Sequence, residues 1–252
     1  MKTSKGIRIK NANEVDILRK AGKILSSIVV QLQGSLTSGM STKDIDLKAE
    51  ELIRQNKVIS AFKGYRGFPG VSCISVNEGV VHGIPGPRVV KDGDIVSLDI
   101  GIIYEGYYSD TAVTVPIGNI SPKTRHLLEV TQASLLLGIE QARVGNRLSD
   151  ISFAVQSFVE MHGFSVVRDF VGHGIGRALH EEPEIPNYGR PGEGPELKEG
   201  MVFAIEPMVN IGTHRTRILG DGWTVVTEDG KPSAHFEHTI VITSKGPEIL
   251  TQ

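Results

Sequence analysis

SLDIGIIYEGYYSDT, residues 97–111, sets two acids, Asp99 and Asp110, inside runs that otherwise read as strand. Ile95, Val96, Leu98, Ile100, Ile102 and Ile103 precede a break at Tyr104-Glu105-Gly106, and Ala112, Val113 and Val115 follow it. That pattern predicts a β-hairpin. With an even-membered loop the two acids share one face of the sheet, opposite or diagonal to one another, whereas a three-residue loop would put them on opposite faces. Carboxylates roughly 5 to 8 Å apart on one face repel when both are ionised, and burying one unpaired is costly. Either the face is solvated or the acids share a cation, and the apolar flanks argue against the first.

Composition narrows the setting. A chain of 252 residues can bury a large core. A formal charge of −2 gives no general attraction for DNA or membrane surfaces. A single cysteine, Cys73, rules out an internal disulfide, so a reducing cytoplasm is the expected location. The opening stretch MKTSKGIRIKNANEVD has no apolar segment of signal-peptide length, and no run approaches a membrane span.

Along the chain, Asn13 is the expected cap of a first helix with Leu18, Ala21, Leu25, Ile28 and Leu32 on its face, stopping at Gly34. Ser41 with Asp44 opens a second helix as a capping box, running to about Asn56. FKGYRGFPG (62–70), the strand VSCISVN (71–77) and a turn carrying His82 lead into the hairpin. Ser121-Pro122 starts a third helix, with proline at its first position, and Ser149 a fourth that ends at His162-Gly163. A short strand (165–167), the turn GHGIG (172–176), His180 and a Pro/Gly-rich loop through Pro195 follow. The remainder reads as a strand (201–206), an irregular stretch to about Thr224 and a final strand, HFEHTIVIT (235–243).

The plan occurs twice, in halves of about 1–120 and 121–252. VKDGDIVSLD (90–99) aligns with LKEGMVFAIE (197–206), setting Asp99 against Glu206; YSDTAVTV aligns with FEHTIVIT, setting Asp110 against Glu237; HGI occurs at His82 and His173. The repeat predicts one pseudo-twofold α/β domain, the sheets of the halves joined and the helices packed outside, with four carboxylates facing one another across the dyad. As bare anions they could not share a pocket, so metal ions are expected. Four carboxylates and an imidazole suit Mn, Fe, Co or Zn, and the cysteine count excludes a thiolate site. Two such ions with bridging carboxylates and a bridging water supply a nucleophile at neutral pH, which is hydrolytic chemistry. His173 stands between two glycines that let the backbone approach a site closely. A lone histidine is usually structural, but His180 and His82 give this one company.

VNEGVVHGIP (76–85), SLDIG (97–101), YSDTA (108–112), GHGIG with ALHEEP (172–183), AIEPM (204–208) and HFEHT (235–239), in this order, resemble methionine aminopeptidase over nearly the whole chain. The likeness is to the bacterial type I form: the chain starts close to its first helix with no N-terminal extension, and only 26 positions separate His180 from Glu206, where type II enzymes carry an insertion. The resemblance implies a pita-bread α/β (α+β) fold, a curved antiparallel sheet with two helix pairs on its outer face. It also implies removal of the initiator methionine from nascent polypeptides whose second residue is small. By the same carry-over Asp99, Asp110, His173, Glu206 and Glu237 hold two divalent ions (Co, Mn, Fe or Zn), Asp110 and Glu237 bridging. Glu206 also moves the proton from the attacking water to the leaving amine, His180 binds the scissile carbonyl and its oxyanion, and His82 contacts the next amide.

The family's methionine pocket maps onto Phe62, Tyr65, Phe68, Cys73, Leu179 and Trp223. Phe62 stands where the family often has cysteine and Leu179 where it often has phenylalanine; both keep the apolar character a thioether needs. Arg215 and Arg217, with His214 and Lys231, lie in the stretch between Glu206 and Glu237, where some relatives use a basic loop on ribosomal RNA. Rival readings are an Xaa-Pro aminopeptidase or prolidase of the same fold, which usually carries a further N-terminal domain, a non-catalytic ribosome-associated relative, which would lack ligands, and a dimetal phosphoesterase, which would want a basic residue in the ligand motifs.

Overall fold

The computed structural model describes residues 6–252; Met1 to Lys5, part of the opening stretch read for a signal segment, lie outside them. The predicted hairpin is the spine of the main sheet. Strands Ile95–Tyr104 and Tyr107–Pro116 pair along their full length, closed by Glu105-Gly106. Both turn residues have positive φ, 49° and 77°, as the two-residue turn matched to strand twist requires. Asp99 pairs with Ala112 and Asp110 with Gly101, so the acids share one face on a diagonal.

Nine strands form this sheet. Its order runs Ile59–Ser60, Ile95–Tyr104, Tyr107–Pro116, Glu237–Thr243, Val202–Ile205, Gly172–Gly174, Glu181–Ile185, with Cys73–Val76 and Gly246–Ile249 paired at the sides, all antiparallel. Helices α1 (Ala12–Ser35) and α2 (Thr42–Gln55) cover the first half, and α3 (Pro122–Gln141) and α4 (Leu148–Met161) the second. Alternation assigns the faces. Leu98, Ile100 and Ile102 pack with Leu25, Ile28 and Leu32 of α1, while Phe203, Ile205, Ile240 and Ile242 pack with Leu128, Leu135 and Ile139 of α3. Asp99, between Leu98 and Ile100, therefore points away from the helices.

The halves join where Tyr107–Pro116 meets Glu237–Thr243, with Ala112 opposite Glu237. Asp110 and Thr239 form the reciprocal pair, the Thr239 hydroxyl accepting from Asp110 N at 3.1 Å and donating to Asp110 O at 2.7 Å. A dyad between the two strands thus exchanges Asp110 with Glu237, as the repeat requires. The other pair of acids is less symmetric: Asp99 faces Ala112, but Ala204, not Glu206, faces Thr239. The slip is two residues, and an even slip keeps a side chain on its face.

Four local expectations change. Asn11, not Asn13, caps α1: its side chain accepts from Glu14 N and the Glu14 carboxylate accepts from Asn11 N, both at 3.0 Å. Either asparagine has an acid three residues on, and the Tyr107 hydroxyl donating to Glu14 at 2.8 Å favours the first. Ser149 does not cap α4; its hydroxyl exchanges hydrogen bonds with the Glu193 backbone, and Arg147 is the cap, its N–H donating to Asp150 at 2.7 Å. The segments read as irregular contain strands, Glu181–Ile185 in the main sheet, and Met208–Asn210 and Thr216–Ile218 in two three-stranded sheets. The HGI sites also differ, because His173 lies in a strand whereas His82 follows the strand Gly79–Val81 with φ of 57°.

Candidate metal centre and active site

Asp99, Asp110, His173, Glu206 and Glu237, brought from five segments of the sheet, line one cavity of 550 Å³. Ligand atoms of Asp110, His173 and Glu237 lie within 4.8 Å of one another, and all three residues are buried. Asp99 Oδ1, Asp110 Oδ1 and Glu237 Oε1 are enclosed with no hydrogen-bond partner among the described residues. Burial pushes all four carboxyls up, Asp110 to about 7 and the others well above the usual range, and for Asp99, Glu206 and Glu237 the charge of neighbouring acids adds to the rise.

The histidine shows what is lacking. His173 Nδ1 stands 2.9 Å from the Gly174 carbonyl oxygen, which only accepts, so the proton is on Nδ1. Burial lowers the ring to about 3, so it is neutral. Its Nε2 lone pair therefore faces Glu206 Oε1, an acceptor once that carboxyl is ionised, at 3.5 Å. The imidazole lone pair, turned toward the Glu206 carboxyl and beside three orphaned carboxyl oxygens, completes a donor set for a divalent cation that displaces the carboxyl protons, and the oxygen-rich composition with one imidazole suits a hard-to-borderline metal.

The other residues singled out in the sequence line the same cavity. Phe62, Phe68, Cys73 and Leu179 belong to one buried apolar cluster, with Tyr65 and Trp223 packed against it. Phe68 meets Trp223 edge-on at 5.2 Å between centroids. The Tyr65 hydroxyl lies 2.8 Å from His180 Nδ1, and the His180 and His173 rings are 4.3 Å apart. Burial, then the positive charge of Arg66, lowers His180, and burial takes His82 to about 4, so both stay neutral at pH 7. Burial, then the charge of Asp99, pushes the Cys73 thiol well up, which makes it a small apolar wall rather than a nucleophile.

Three features escaped the sequence reading. Arg66, in the left-handed region with φ of 48°, lines the cavity mouth. Lys10 and Glu181, 171 residues apart, form a buried ion pair at 3.0 Å, and Glu181 also accepts from the backbone N–H of Arg177 and Ala178, tying down the loop that carries Leu179 and His180. Nothing local in the sequence marks that pair. His235 approaches Glu206 Oε2 to 3.5 Å; its two-residue spacing from Glu237 was the available signal.

The profile of metallopeptidase family M24 matches residues 16–244. Methionine aminopeptidase from Clostridium perfringens is 55% identical over 97% of this chain and 98% of its own length. Methionine aminopeptidase 1 from Bacillus subtilis is 54% identical over 96% and 98%. The crystal structure of methionine aminopeptidase from Thermotoga maritima superposes with a TM-score of 0.96 at 46% identity, covering 98% of this chain and 99% of that one. Prolidase from Pyrococcus furiosus shares the fold at a TM-score of 0.78 and 25% identity, but this chain covers only 65% of it. The curled antiparallel sheet, the buried donor set and these full-length likenesses agree, and the chain belongs to the methionine aminopeptidases of metallopeptidase family M24.

Proposed function

We propose that residues 1–252 act as a single cytoplasmic catalytic domain that removes the initiator methionine from nascent proteins whose second residue is small. The observation that carries this reading is the junction, within one cavity, of a buried cation donor set with an apolar pocket closed by aromatic side chains. Asp99, Asp110, His173, Glu206 and Glu237 would hold two divalent ions from among Co, Mn, Fe and Zn. Such ions supply Lewis acidity and acidify water to near neutrality.

The protein's own groups do the rest. Phe62, Tyr65, Phe68, Cys73, Leu179 and Trp223 take the methionine side chain, whose burial contributes roughly 1.5 to 3 kcal/mol. A Tyr65 hydroxyl donating to His180 Nδ1 leaves the proton of His180 on Nε2, where it can donate to the scissile carbonyl oxygen as charge develops there. Glu206 takes the proton of the attacking water and gives it to the departing amine. Neutral His82 contacts the amide that follows. Protein reconstituted with Mn²⁺, Fe²⁺ or Co²⁺ should cleave Met-Ala-Ser, spare Met-Lys-Ser and leave Ala-Pro peptides intact; failure on the first with all three metals refutes the reading.

Arg215 and Arg217 sit on or beside the exposed strand Thr216–Ile218, and we assign them a weak contact with ribosomal RNA phosphates. Replacing both with Glu should abolish co-sedimentation with ribosomes at low salt, and unchanged co-sedimentation refutes the assignment.

A further inference from the structure

The Glu206 carboxylate is bracketed by two imidazoles, His173 Nε2 at 3.5 Å from Oε1 and His235 Nε2 at 3.5 Å from Oε2. The contacts match in length but not in chemistry. His173 has its proton held on Nδ1 by the Gly174 carbonyl, so its Nε2 offers a lone pair. His235 has no such anchor: it is 1% exposed, and neither ring nitrogen has a hydrogen-bond partner among the described residues. Its backbone is fixed instead, by Thr114, whose hydroxyl accepts from His235 N at 2.9 Å and donates to His235 O at 2.8 Å, and by pairing with Met208.

The place of the ring proton follows from what each nitrogen faces. On Nδ1 the proton would meet no acceptor among the described residues, and once Glu206 is ionised, as cation binding requires, the Nε2 lone pair would oppose a carboxylate oxygen; both are unfavourable. On Nε2 it points at Glu206 Oε2. We propose that His235 is a positioning residue whose Nε2–H donates to Glu206 Oε2, holding the carboxylate so that Oε1 stays on the His173 side of the cavity. The present 3.5 Å is longer than a formed hydrogen bond, and such contacts tighten in the working complex.

The inference rests on Glu206 moving the proton in the proposed reaction, so its test combines kinetics with a readout independent of catalysis. In Mn²⁺-loaded protein acting on Met-Ala-Ser, His235→Leu should lower kcat by ~10- to 100-fold with KM and metal content unchanged. His235→Gln, whose amide N–H can reach the same oxygen, should recover most of the loss. Nitrogen-15 spectra of histidine-labelled, Zn²⁺-loaded protein should show the Nε2–H tautomer for the resonance that His235→Gln removes. An Nδ1–H tautomer, loss of metal in His235→Leu, or equal kcat in all three proteins overturns the role. An Nε2–H tautomer in a protein that cleaves no methionyl peptide overturns the assigned reaction, and the positioning role with it.

Discussion

Replacing Asp110 with asparagine separates what this acid costs the fold from what it does in the site. Asp110 is 5% exposed, its Oδ1 has no hydrogen-bond partner among the described residues, and burial raises its carboxyl to about 7. Below the ordinary Asp range both folded and unfolded chains hold the proton, and the acid costs nothing. As pH rises from there, the unfolded chain releases its proton while the folded chain keeps it, so metal-free stability falls by ~1.4 kcal/mol per pH unit. The loss levels off above about 7, where the folded form ionises too. The span gives a ceiling of about 4 kcal/mol, and because Asp99, Glu206 and Glu237 compete for the same protons we expect about half of it. For a chain of this size ~2 kcal/mol moves Tm by roughly 4 to 8 °C. Chelator-treated Asp110→Asn should therefore melt above the parent at pH 8, with the gap closing toward pH 4. Adding Mn²⁺ should reverse the order at pH 8, because only the parent keeps its full donor set. Scanning calorimetry at pH 4, 6 and 8, with and without metal, reads each of these. A metal-free variant less stable than the parent at pH 8, or a gap independent of pH, would refute the reasoning.

The raised carboxyls also mean that a cation must displace protons; affinity for Mn²⁺ should fall as pH drops from about 8 to about 6, with proton release measurable by titration calorimetry in buffers of different ionisation enthalpy. A Cβ on Gly101 would lie 2.7 Å from the Phe62 ring and 2.9 Å from Ala61 Cβ, so Gly101→Val should raise KM for methionyl peptides about tenfold with bound metal unchanged in atomic spectrometry. Lys10→Met leaves Glu181 buried with, among the described residues, the half-exposed Arg8 at 3.9 Å as its remaining ion-pair partner; urea unfolding should show a loss of ~3 kcal/mol, part of which Glu181→Gln in the same chain restores.

Much of this protein is legible along the chain because its signals are local. Alternation around Asp99 and Asp110, with a turn whose two residues both take positive φ, specifies the hairpin, its even loop and the shared face of the acids. The repeat then carries Glu206 and Glu237 to the same face, and a two-residue slip in the second half leaves that conclusion intact because faces alternate with a period of two. Capping boxes at Ser41 and a proline at the first position of α3 mark those helices from short-range hydrogen bonding alone.

What tertiary structure decided was every choice between locally equivalent options and every contact between distant segments. Asn11 and Asn13 offer the same cap, and Tyr107, far along the chain, selects between them. Ser149 is a good cap by residue type but is taken by the Glu193 backbone. The Lys10–Glu181 pair joins residues 171 positions apart, and no periodicity encodes such a contact. The pairing of His173 and His235 on either side of Glu206 is of the same kind. Both are histidines set by the fold beside the same acid, and the carbonyl of Gly174 beside one ring, against an Nδ1 with no hydrogen-bond partner among the described residues in the other, distinguishes the nitrogen that can receive a cation.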